Sequence, residues 1–245
     1  MHGKPDDSYD LYVLERRLRC RGFEHVAGAD EAGRGACAGP LVAAAVVLPP
    51  RGARRLKGLT DSKLLSPLRR ERLYEQILLH AHSYAVVVVS AAEVDATGVH
   101  RANLAALRRA VAGLSGPVDY ALTDGFSVRG MTVPTLGIWK GDQVSACVAA
   151  ASVVAKVTRD HMMCRLGDSF PAYDFSRHKG YITTSHSVAL REHGPCSQHR
   201  WSFTNVKEAA TQWRASQLGS SFRTSPGAAS AHSRPWATMT AEVRQ

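Results

Sequence analysis

Over residues 11–21 the apolar positions Leu11, Leu14 and Leu18 recur at helical spacing, which predicts a first helix. The next segment, residues 25–29, is a short strand candidate that runs straight into Asp30-Glu31. Residues 41–48 form an unbroken apolar, β-branched run closed by Pro49-Pro50. Such a run reads as a buried strand. Residues 51–60 are basic and contain glycine, so a loop is expected there. Ser66-Pro67 opens another helix, because serine caps a first turn and proline suits it. Leu68, Leu73, Ile77 and Leu78 supply its apolar face.

Residues 84–90 predict a strand, residues 99–113 a helix, and residues 120–123 a strand leading into Asp124-Gly125. A long helix is expected from Gly141-Asp142 to about Leu166. Its middle, residues 146–155, is apolar on every side, which marks a helix buried against a sheet. Residues 173–183 are rich in His, Lys, Arg and aromatics and read as a functional loop; residues 184–193 and 204–214 predict two more helices. Strands alternating with helices imply an α/β or α+β layered domain. From about Gln217 the chain turns to Ser, Ala, Gly, Thr and Arg. The expected organisation is an N-terminal helical segment (1–23), one catalytic domain (24–214) and a disordered basic tail (215–245).

Composition adds a partner. The 245 residues carry a formal charge of +10, which favours a polyanion such as nucleic acid. The five cysteines are scattered without a CxxC pair. That argues against a disulfide framework or structural zinc site and fits a reducing compartment. The N-terminus shows no secretory pattern, and the apolar runs fall far short of the ~20 residues that span a membrane. A cytoplasmic location without membrane contact is expected.

Four acids lie at expected element ends: Asp30, Glu31, Asp124 and Asp142. The ends of neighbouring strands can converge on one rim of a sheet. Adjacent strand residues point to opposite faces, so Asp30 and Glu31 share a site only if the strand ends or bends there. Gly33-Arg34-Gly35 permits a bend. Gathered carboxylates repel one another, and divalent cations offset that cost. All-oxygen ligands suit Mg2+ or Mn2+. Taken singly, each acid reads better as a surface charge or cap, Asp142 as a favourable charge at a helix N-terminus; only the combined pattern points to a metal site.

Residues 28–35, Gly-Ala-Asp-Glu-Ala-Gly-Arg-Gly, closely resemble type 2 ribonucleases H, the ribonuclease HII family. Thr60-Asp61-Ser62-Lys63-Leu64, Asp124-Gly125, Lys140-Gly141-Asp142 and Ala155-Lys156-Val157-Thr158-Arg159-Asp160 are similar to further blocks of that family. So are His178-Lys179-Gly180-Tyr181 and His199-Arg200-Trp201-Ser202-Phe203. The ordered blocks span residues 24–205. The resemblance implies an RNase H-like α/β fold, a mixed sheet flanked by helices with a small helical C-terminal part. It implies an endonuclease that uses two Mg2+ or Mn2+ ions to cut the RNA strand of RNA–DNA hybrids. It also implies cutting 5′ of ribonucleotides embedded in duplex DNA, leaving 5′-phosphate and 3′-hydroxyl ends.

By the same resemblance, Asp30, Glu31, Asp124 and Asp142 would hold the metal. Gly33, Arg34 and Gly35 would sense the 2′-hydroxyl that distinguishes RNA from DNA. Tyr181 would stack on the sugar at the RNA–DNA junction, and Ser62, Lys63, Lys140, His178, Lys179 and Arg200 would contact phosphates. His178 and His199 are also placed in polar support of the site rather than on a metal, since hard cations prefer oxygen. The chain departs from the usual family pattern at Ala36-Cys37, where Pro and Leu are common, and at Ile182, where Gly is common. Repair of embedded ribonucleotides and a monomeric state complete the expectation. Two rivals differ in substrate: a resolvase-like nuclease would cut all-DNA duplexes, and a binding-only protein would need none of the acids. Ribonuclease HIII, a nearer rival, generally carries an extra N-terminal domain.

Overall fold

The computed structural model describes residues 10–50, 56, 58–60, 62 and 64–221. Asp61, Lys63, most of the expected 51–60 loop and the tail beyond Ser221 lie outside the described residues.

Five strands form one mixed sheet in the order β3-β2-β1-β4-β5. They are β1 (Val26–Ala32), β2 (Leu41–Val47), β3 (Ser83–Val89), β4 (Tyr120–Asp124) and β5 (Thr135–Ile138). The first three run antiparallel, whereas β4 lies parallel to β1, and β5 to β4. Parallel neighbours need a crossover. Between β1 and β4 it is supplied by α2 (Pro67–His80), α3 (Ala91–Thr97) and α4 (Val99–Ala112) together with β2 and β3; residues 125–134 join β4 to β5.

Alternation along β1 divides the core. Val26 and Ala32 face α5 (Ala146–Ser169), while Ala27 and Ala29 face α4. Helix α5 is lined by Ala, Val and Ser, and thirteen of its residues are buried. Small side chains let it lie close to the sheet. Its start is held from outside: Glu15 of α1 (Val13–Arg19) is buried and accepts hydrogen bonds from Ser145 Oγ (2.8 Å) and the Cys147 N–H (2.9 Å). A carboxylate at a helix N-terminus satisfies free donors and suits the dipole.

Beyond α5 the chain forms the small helical part: α6 (Phe175–His178), α7 (Thr184–His193) and α8 (Thr204–Ser221). Tyr173, Phe175, Met163, Ala38 and Ala189 make a third core there. Two expectations are corrected. Asp142 does not open the long helix; it sits in a separate 3-10 turn, Gly141–Gln143, and Ser145 caps α5. Helix α8 runs to Ser221, past the expected boundary at 214, so residues 215–221 are helix rather than tail. Three elements had not been expected: α3, β5 and α6, which falls in the expected loop 173–183. For α3 the signal is Ser90-Ala91-Ala92-Glu93, the spacing of a capping box, and Ser90 Oγ accepts from the Glu93 N–H at 3.1 Å. No helix among the described residues is long and apolar enough to cross a membrane.

Candidate active site

Strands β1 and β4 run parallel with Ala29 beside Thr123. One residue further along, Asp30 and Asp124 therefore stand side by side. β1 does not bend at the acids: pairing with β2 continues to Ala32 opposite Val42. Alternation places Asp30 on the α5 face; β1 ends one residue after Glu31, and the Glu31 carboxylate stays near enough to act on Asp30. The expected bend falls one residue later, at Gly33, where φ is +84°.

Asp30 is buried. Burial, then the charges of Glu31 and Asp124, push its carboxyl well above the ordinary carboxylate range. The Glu31 N–H (2.7 Å to Oδ1) and the Ser152 hydroxyl oppose this by bonding to it. Ser152 in turn shares a 2.9 Å bond with buried Ser62. Ser62 therefore supports Asp30 through Ser152 and does not face a phosphate. Asp124 accepts the Gly141 N–H at 2.7 Å, which ties the turn carrying buried Asp142 to the end of β4.

Among the described residues no three His, Cys, Asp or Glu side chains are gathered closely enough to hold a metal ion as they stand. The donor chemistry fits a hard divalent cation all the same. It is all oxygen, and burial, then the Glu31 and Asp124 charges, disfavour the ionised form of Asp30. A cation beside Asp30 would reverse that effect.

The segment after β1 is held from below by two fully buried arginines. Arg200 donates to the carbonyls of Gly33 (2.8 Å), Arg34 (3.2 Å) and Gly39 (3.0 and 2.9 Å). Burial, then Arg159, lower its pKa to about 10. Arg159 of α5 donates to Pro40 O (2.8 Å) and Ala38 O (3.2 Å). Arg200 was expected to contact phosphate; its guanidinium is instead consumed by the main chain of residues 33–39. Arg34 is half-exposed, with its guanidinium 4.5 Å from the centre of the Phe126 ring. That contact joins the glycine segment to the turn after Asp124. Gly35 is exposed, and Lys140 is exposed in a left-handed conformation beside the exposed Trp139.

Residues 178–181 are stapled to this segment. Gly180 O accepts from the Cys37 (3.0 Å) and Ala38 (3.2 Å) N–H groups. His178 is buried, donating from Nε2 to Tyr173 O (2.6 Å) and accepting the Gly180 N–H at Nδ1 (3.2 Å). It shapes the loop and has no nitrogen left for a phosphate. Lys179 Nζ reaches Ser176 O at 2.5 Å. Tyr181 is 39% exposed, with Arg159 5.5 Å from its ring centre. Ile182 is exposed next to it.

Asp30, Asp124, Asp142, the glycine segment and Tyr181 thus occupy connected elements. The supporting roles of Ser152, Arg159 and Glu15 were not anticipated. Ser152 and Arg159 are seven residues apart, hence on one face of α5, the face that packs on the sheet and the segment after β1; that spacing was the available signal.

The family model for ribonuclease HII matches residues 27–206. The chain belongs to the ribonuclease HII family. A ribonuclease HII from Salinispora tropica is 63% identical over 196 residues, covering 80% of this chain and 73% of that one. Another from a Nocardioides species is 60% identical over 200 residues, covering 82% and 83%. The crystal structure of ribonuclease H2 from Pyrococcus horikoshii superposes with a TM-score of 0.67 at 25% identity, covering 78% of this chain and 99% of that one. As a ribonuclease HII the chain is an endoribonuclease, a hydrolase of phosphodiester bonds, and its mixed sheet with flanking helices is the fold of that family.

Proposed function

We propose that this ribonuclease HII cuts the RNA strand of RNA–DNA hybrids and cuts 5′ of ribonucleotides embedded in duplex DNA, leaving 5′-phosphate and 3′-hydroxyl ends. The observation that carries the reading is the placing of Asp30 and Asp124 one residue beyond the Ala29–Thr123 pair on adjacent parallel strands, where burial, then the Glu31 and Asp124 charges, raise the Asp30 carboxyl above the ordinary range. Asp30, Glu31, Asp124 and Asp142 would hold Mg2+ or Mn2+. Two such ions, when bound, activate a water and neutralise the leaving oxygen.

The protein's own groups do the rest. The main chain of residues 33–35 receives the 2′-hydroxyl, which small side chains permit at close range. Arg34, Lys140 and Lys179 hold phosphates at the rim. Tyr181 offers a flat face to the sugar at the junction. Ser152 and Ser62 orient Asp30, and Arg200 and Arg159 hold the glycine segment in place.

The test is cleavage of three labelled duplexes with Mg2+, Mn2+ or a chelator. One is DNA with a single ribonucleotide, one a long hybrid, one all DNA. Metal-dependent cutting at the 5′ side of the lone ribonucleotide, and within the hybrid, is expected. Cutting of the hybrid alone would remove the junction role. Cutting of all DNA would overturn the reading.

A further inference from the structure

Beneath Tyr181 lies a group of buried imidazoles that the reaction does not use. His186 of α7 and His199 are buried, and their Nε2 atoms stand 3.0 Å apart. The outer nitrogens have fixed partners. His199 Nδ1 faces the Cys196 N–H at 2.9 Å, so it accepts and carries no proton. Its proton is therefore on Nε2, pointing at His186. His186 Nε2 must then accept, and the His186 proton is on Nδ1, which stands 2.9 Å from Tyr181 O. A single arrangement of protons satisfies every contact. It runs one way, from the Cys196 N–H through both rings to the Tyr181 carbonyl.

We propose that His186 and His199 are positioning residues for Tyr181, their relay fixing its carbonyl and so the placing of its exposed ring against the substrate sugar. This rests on the reading that Tyr181 contacts that sugar. Other contacts close the frame. His178 stacks on His186, ring centres 4.2 Å apart, and holds the Gly180 N–H. Arg159 lies by the Tyr181 ring.

Among the described residues, the groups facing the relay carry no opposite charge. His186 meets His178, His199, Phe175 and the Cys37 thiol (3.7 Å). His199 meets Tyr173, Phe175, His186 and the Cys196 thiol (3.2 Å). Among the described residues, no acid faces the relay to welcome an imidazolium. A second proton on either ring would set N–H against N–H, either between the two rings or at Cys196. Consistent with this, burial above all lowers both pKa values to about 4.

The test is a double-mutant cycle read on the single-ribonucleotide duplex. His186→Leu removes the donor to Tyr181 O. It is expected to raise KM about tenfold with kcat little changed, the cost of one buried hydrogen bond. His186→Asn, whose amide N–H replaces Nδ1–H, recovers most of that loss. In a Tyr181→Ala background, His186→Leu adds nothing. His199→Gln, which keeps a donor toward His186, serves as the second variant against His199→Leu. Long-range proton–nitrogen NMR of the unmodified protein at pH 7 should show His199 protonated on Nε2 and His186 on Nδ1.

The opposite tautomers, or equal losses from His186→Leu with and without Tyr181, would overturn the proposal. So would failure of both conservative variants to outperform their leucine counterparts. If Tyr181→Ala itself cleaves normally, the sugar-contact reading fails, and the positioning role falls with it. An impaired Tyr181→Ala with additive His186→Leu sinks the positioning role alone.

Discussion

Gly28 of β1 lies directly against the main chain of Cys147 in α5: a methyl group on Gly28 would overlap the Cys147 carbonyl and the Val148 nitrogen. Backbone meets backbone at this point, so the helix that carries Ser152 and Arg159 approaches the strand that carries Asp30. Gly28→Ala must push the two apart. A loss of about 2–3 kcal/mol or outright misfolding is expected, read as a fall in Tm.

Asp30 is destabilising in the folded state, because burial and two neighbouring charges oppose its ionisation. Asp30→Asn keeps the shape and the oxygen that accepts the Glu31 N–H but removes the charge. Without divalent cation its Tm should exceed that of the unchanged protein. Cleavage with Mg2+ should fall by about a hundredfold or more. Loss of Tm together with activity would mean that the carboxylate is structural.

Gly33 and Gly35 should part company. A methyl on Gly33 would overlap the buried Arg159 side chain, and its φ of +84° strains any other residue. A methyl on Gly35 meets nothing within 4 Å. Gly33→Ala should therefore lower Tm. Gly35→Ala should melt normally yet cleave poorly, if the main chain there receives the 2′-hydroxyl. Normal cleavage by Gly35→Ala would remove that role.

Arg200 and Lys140 differ in the same way. Lys140→Ala should reduce the salt dependence of duplex binding by about one unit of slope, the mark of a lost phosphate contact. Arg200→Lys should leave the slope unchanged and lower Tm, since one ammonium cannot replace a guanidinium that bonds three carbonyls. A change of slope in Arg200→Lys would restore it as a phosphate ligand.

Acid should loosen the small helical part. The pKa values of His186 and His199 are about 4 in the folded protein, below the ordinary 6.5. The unfolded chain therefore binds more protons between those values. Stability is fully present above pH 6.5 and is lost as pH falls towards 4. Tm measured from pH 7.5 to 4.5 should drop, and more gently in His199→Gln. An equal drop in that variant would assign the acid sensitivity elsewhere.

Much of the fold was legible because its signals are local. The β-branched run of β2, the Ser66-Pro67 start of α2 and the all-apolar middle of α5 each declare an element within a dozen residues. β5 was not legible. It is four residues long, follows Pro134 and carries no alternating pattern; pairing with β4 is what makes it a strand.

For the site, the sequence by itself determined the chemistry on offer: four acids, a glycine segment with one arginine, and the blocks that mark the family. Tertiary structure alone decided which polar residues face outward and which are spent inside. Arg200, Ser62 and His178 look in sequence like groups waiting for a phosphate. Folded, their hydrogen bonds go to Gly33, Ser152 and Tyr173, because a buried polar group must find a partner in the protein. Those partners lie up to 167 residues away along the chain. No local pattern encodes such pairings; they arise when strand register and helix packing bring distant main chain within reach.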